Sequence, residues 1–62
     1  MTKIYIVKDE TEDRYFLYIN ALGMGELEKN LAERFINAYH HVKPQKASDD
    51  KNAVLQWEYT NP

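Results

Sequence analysis

A chain of 62 residues with a formal charge of −2 and no cysteine makes one thin domain, because at this size only about 60% of the unfolded surface is buried on folding. The missing cysteines exclude disulfides and thiolate metal sites, which leaves association as the expected source of extra stability. The small negative charge gives no general pull toward phosphate backbones or anionic membranes, and no apolar run approaches the ~18 residues of a membrane span.

The first eight residues hold too short an apolar segment for a secretory signal, so a cytoplasmic protein is expected. Lys3 to Lys8 is β-branched and aromatic between lysines, the composition of a strand, with Ile4 and Ile6 on one face and Tyr5 and Val7 on the other. Asp9, Glu10, Glu12 and Asp13 follow as an acidic link. Arg14 to Asn20 then alternates Tyr15, Leu17 and Ile19 against Phe16 and Tyr18, so the two runs predict a hairpin.

Ala21 to Gly25 reads as the turn into a helix that begins at Met24. Met24, Leu27, Leu31, Phe35, Ala38 and Val42 recur at spacings of 3, 4, 4, 3 and 4, the rhythm of an amphipathic helix. Ala32, Ile36 and Tyr39 widen the apolar arc beside that stripe, which marks Ile36 and Tyr39 as candidates for contact with another chain. Glu26 and Glu28 suit the positive end of the helix dipole, and His40, His41 and Lys43 the negative end. Pro44 stops the helix at Lys43. Residues 44–52 predict a flexible loop, Ala53 to Tyr59 a third strand, and 61–62 a frayed tail.

The predicted fold is a single α+β domain in the order β-β-α-β. One helix packs on one face of a three-stranded, mostly antiparallel sheet. The helix can deliver the third strand beside the first, giving the strand order 2-1-3, and a parallel neighbour of the second strand is also allowed. The inner face then holds Ile4, Ile6, Tyr15, Leu17, Ile19, Leu55, Trp57 and Tyr59, opposite Leu27, Leu31, Phe35, Ala38 and Val42. Tyr5, Val7, Phe16, Tyr18 and Val54 are left with no element to cover them. A bare apolar patch marks an interaction site, and tyrosine and phenylalanine are interface-enriched.

The chemical motifs are fragments. His40 and His41 are adjacent, so on a helix they point about 100° apart. Glu33, Asn37 and His40 share a helix face without the H-E-x-x-H spacing of a zinc site. The acidic run at Asp9, Glu10, Glu12 and Asp13 lacks the glycine and the distal glutamate of a calcium loop, and reads as a solvated turn or an acidic contact for a basic partner. Gly23-Met24-Gly25 is part of a phosphate loop, but Glu28 stands where the third glycine would be. No catalytic residue, cofactor or metal is expected.

The function expected from these residues is a small non-catalytic protein-interaction module. It is expected to form a homodimer and to act as an inhibitor or adaptor of another protein, of the kind common among phages and mobile elements. The alternative is single-stranded nucleic-acid binding, with Tyr5, Phe16 and Tyr18 stacking bases and Lys43, Lys46 and Lys51 meeting phosphates. The basic-aromatic motif of RNA-recognition modules is absent.

Overall fold

The computed structural model describes residues 2–46 and 54–61. The alternating N-terminal runs form β1 (Thr2–Asp9) and β2 (Arg14–Ile19), paired antiparallel with Ile4 opposite Ile19 and Val7 opposite Phe16. Their turn closes on local chemistry. The Asp9 carboxylate accepts the backbone N–H groups of Thr11 at 2.9 Å and Glu12 at 3.4 Å, and Asp13 takes a left-handed φ of 57°.

The chain does not enter a helix after β2. Asn20 adopts a left-handed φ of 54°, its N–H donates to the Lys3 carbonyl at 2.7 Å, and its Oδ1 accepts from the Lys3 N–H at 3.1 Å. This turn leads into a third strand, β3 (Leu22–Leu27), where the sequence predicts a turn and the first part of the helix. Two apolar residues three apart, Met24 and Leu27, satisfy a helical rhythm, but tertiary contacts hold the segment extended. Gly23 lies under the Tyr18 ring, Gly25 supplies a φ of 102° where the pairing register shifts, and Glu26 binds Arg14 on β2.

The helix, α1, is shorter than its periodicity predicts: Lys29–Ala38. Glu26 lies in β3 and Glu28 is the residue before the helix, where its side chain makes no capping hydrogen bond. At the other end Tyr39 leaves helical geometry with φ −113° and ψ 50°, and its ring packs 4.9 Å from Phe35 and 5.8 Å from Tyr59. The chain therefore turns before Pro44 is reached, with the Val42 N–H donating to the Tyr39 carbonyl. His40, His41 and Lys43 lie beyond the last helical turn, so they do not flank the helix terminus as expected.

Gln45–Lys46 forms the short strand β4, inside the segment expected to be a loop, and pairs with β5 (Val54–Asn61). Residues 47–52 of that expected loop, the start of the third predicted strand at Ala53, and Pro62 of the expected tail lie outside the described residues. Asn61 pairs with Thr2 at the end of the β1–β5 ladder.

The result is a small α+β fold with an antiparallel sheet of five strands, not three, in the order β3-β2-β1-β5-β4. The chain order β-β-β-α-β-β replaces the expected β-β-α-β, because β3 and β4 each add an edge strand that hydrophobic alternation does not reveal. The three central strands take the 2-1-3 arrangement, with no parallel neighbour.

The core is Ile6, Tyr15, Ala32, Trp57 and Tyr59, with Ile4, Leu17, Leu27, Phe35, Ile36, Val42 and Leu55 packed around it. The sheet side of this core is the expected one. The helix side is rotated: Ala32 is fully buried, whereas Leu31 is 54% exposed and Ala38 is exposed. A side chain no larger than alanine at the point of closest approach lets the helix lie near the sheet, and the seam runs through Ala32, Phe35 and Ile36. Leu31 stands at the mouth of an apolar groove of about 280 Å³ beside Ile19 and Leu27.

Candidate functional site

One helix lies on one face of the sheet, and no described element covers the other. Strand alternation places Tyr5 and Val7 of β1, Phe16 and Tyr18 of β2 and Val54 of β5 together on that open face. Tyr5 is directly opposite Tyr18, and Val7 opposite Phe16, so four of the five form one block across the two central strands. Tyr18 is 39% exposed and the others are half-buried.

A shallow depression of about 460 Å³ opens between Tyr5, Val7 and Tyr18, with Asn20 and Gln56 as its polar rim. Asn20 and Gln56 do not stand out in the sequence. Their signal is parity alone, since each lies an even number of residues from an aromatic or apolar member of the same face.

The cations of this face are engaged. The Arg14 guanidinium donates to both Glu26 oxygens, at 3.2 and 2.7 Å, and to Glu12 at 3.2 Å, while lying 5.4 Å from the Phe16 ring centre. These hydrogen bonds raise the Arg14 pKa and hold the Glu26 carboxyl below the usual carboxylate range. Lys3 pairs with Glu58 at 3.6 Å. Each pair is exposed and contributes little stability alone. Together they leave an aromatic patch bordered by neutralised charge.

The remaining candidate residues are elsewhere. Ile36 and Tyr39 lie on the helix side of the sheet, away from the tyrosine block. Ile36 packs against the core, and Tyr39, 46% exposed, leans on Phe35 and Tyr59. The seven expected contact residues therefore divide between two surfaces.

The acidic run is partly used within the chain. Asp9 organises its turn, Glu12 binds Arg14, and Asp13 bridges Lys8 at 3.7 Å and Lys29 at the start of α1. The Lys29 ammonium lowers the Asp13 pKa, and Asp13 raises that of Lys29. Glu10 is exposed at the tip.

His40 and His41 stand edge to face with ring centres 6.4 Å apart, and His40 lies beyond the helix that would have aligned it with Glu33 and Asn37. Among the described residues no group of three or more His, Asp or Glu is placed to hold a metal ion. No helix among them is long and apolar enough to cross a membrane. No protein-family model, curated protein or solved structure matches this chain.

Proposed function

We propose that this chain is a small non-catalytic protein-interaction module that self-associates through its open sheet face and acts as an inhibitor or adaptor of another protein. The observation that carries this reading is the contiguous Tyr5, Val7, Phe16 and Tyr18 block with no described element over it. The four longer strands, of six to eight residues and about 4.8 Å apart, present an area of roughly 400 Å². Two such faces together bury less than a standard interface of about 1,600 Å², which is the class of weak and transient contacts.

The competing reading is single-strand binding on the same rings. It needs cations beside the rings to take the phosphates. On this face Lys3 and Arg14 are both neutralised by carboxylates, which favours a protein partner.

The test is light scattering of the full chain over a dilution series from millimolar to low micromolar, for wild type and Tyr18→Glu. The wild type is expected to gain mass with concentration and to melt at a higher temperature when concentrated. Tyr18→Glu is expected to remain a monomer with unchanged far-ultraviolet dichroism. A wild type that stays monomeric at millimolar concentration overturns self-association. Retention of a labelled oligothymidine that weakens steeply between low and moderate salt would instead establish nucleic-acid binding.

A further inference from the structure

A second surface lies on the opposite side of the sheet, where β5 outruns its neighbour. β5 has eight residues and β4 two, and β4 pairs only with Leu55 and Gln56. Beyond that point the outer edge of β5 meets no other strand among the described residues.

The ladder parity identifies which backbone groups this leaves. Lys3 exchanges hydrogen bonds with Asn20 on the β2 side, so the backbone groups of Ile4, the next residue, point to β5 and its partner Tyr59. The N–H and C=O groups of Glu58 and Thr60, on either side of Tyr59, therefore point away from β1 toward the free edge. An edge of this kind is a template for another strand.

Beside it is a recess of about 470 Å³. Phe35 and Tyr39 line it from the end of the helix, His41 and Val42 from the segment leading into β4, and Ile4, Glu58, Tyr59 and Thr60 from the strands. Phe35 meets Tyr59 edge to face at 4.9 Å, so the wall is a packed aromatic surface and not a set of mobile rings. The Glu58 side chain, 43% exposed, stands on the opposite face of the same edge with only the 3.6 Å contact to Lys3.

We propose that this edge is a docking site for an extended peptide segment that adds to β5 as an antiparallel strand. Residues of the segment opposite Thr60 and Glu58 exchange main-chain hydrogen bonds with them. The residue between, opposite Tyr59, turns its side chain onto the aromatic wall and is apolar. The residue after it lies opposite Glu58 and is lysine or arginine, because opposite charges on paired strand positions attract. The recognised pattern is thus an apolar residue followed by a basic one, without proline. The Glu58 side chain lies on the face that carries Tyr5, whereas the Tyr59 wall and its recess lie on the helix side, so the inference does not depend on the role of the tyrosine block.

The experiment is selection of a phage-displayed library of random heptapeptides on the full-length protein, followed by affinity measurement on synthesised winners. Enriched peptides are expected to carry the apolar-basic pair. Selection on Glu58→Lys is expected to replace the basic residue with aspartate or glutamate. Thr60→Pro removes one outward N–H and spares the β1 ladder, and it is expected to weaken a wild-type winner about tenfold, with Trp57 fluorescence unchanged. If that variant unfolds, the Glu58→Lys selection decides. Selection on Tyr18→Glu is expected to match wild type. The proposal is overturned if nothing is enriched over the bare support. It is equally overturned if winners ignore the Glu58 charge, or if Tyr18→Glu abolishes their binding.

Discussion

Tyr59 shows how a single side chain can be well packed and still costly. Its ring is among the most buried in the chain, between Phe35 and Tyr39, yet its hydroxyl is enclosed without a hydrogen-bond partner among the described residues. Enclosing an unpaired hydroxyl costs about 1–3 kcal/mol. Burial also raises the Tyr59 pKa, since the phenolate is the form that most needs water. A group whose folded pKa is raised adds stability that is complete below its unfolded pKa, near 10 for tyrosine, and is lost as the pH rises through the folded value. Tyr59→Phe is therefore expected to leave the fold as stable or about 1 kcal/mol more stable at pH 7. It is also expected to blunt the loss of stability above about pH 10. Urea titrations of both proteins at pH 7 and pH 10.5 check this, and a destabilised Tyr59→Phe would mean that the hydroxyl has a partner.

The elements obey different constraints on the two sides of the sheet. β3 contains both glycines of the chain and would be a poor strand alone, and each glycine has a separate reason to be there. A Cβ on Gly23 would sit 3.1 Å from the Tyr18 ring, so a larger residue displaces the tyrosine of the open face. A Cβ on Gly25 would meet nothing within 4 Å, but φ 102° is a conformation that side-chain-bearing residues resist. Gly25→Ala is therefore expected to cost about 1–2 kcal/mol through the backbone alone, measured as a shift in the urea midpoint at constant slope. A cost near zero would mean that the β3 register shift relaxes freely. In α1 the buried position is Ala32 and Leu31 is largely outside. Leu31→Ala is accordingly expected to cost less than about 1 kcal/mol, against about 2–5 kcal/mol for Ile6→Ala, whose side chain is 1% exposed. Equal costs would restore Leu31 to the core.

For the molecule as a whole, width decides what is covered. Five strands span about 19 Å between their outermost axes, and a helix with its side chains is about 10 Å across. One helix therefore cannot close even the face it lies on, which is why an apolar groove remains beside Leu31 and a recess beside Tyr59. The other face has no helix among the described residues. Exposed ion pairs frame these surfaces without anchoring them. The Asp13 and Glu26 carboxyls, both held below their usual range, contribute stability present above pH ~4 that is lost as the pH falls through their lowered values.

The strand alternation of residues 3–8 and 14–19, and the partition of Ile4, Ile6, Tyr15, Leu17, Trp57 and Tyr59 from Tyr5, Val7, Phe16 and Tyr18, were readable in the chain itself. Period-two patterning depends only on which neighbours are apolar, and the two faces of a sheet inherit it directly. The helix seam, the end of the helix and both edge strands were decided by tertiary contacts. Leu22–Leu27 is extended because Tyr18 and Arg14 on the adjacent strand hold Gly23 and Glu26, partners that no local period encodes. Helix α1 stops at Ala38 because Tyr39 packs on Phe35 and Tyr59, and Tyr59 comes from a strand twenty residues further along the sequence. The free edge at Glu58 and Thr60 has the same origin: β4 begins only at Gln45, opposite Gln56, and the residues before it do not pair with β5.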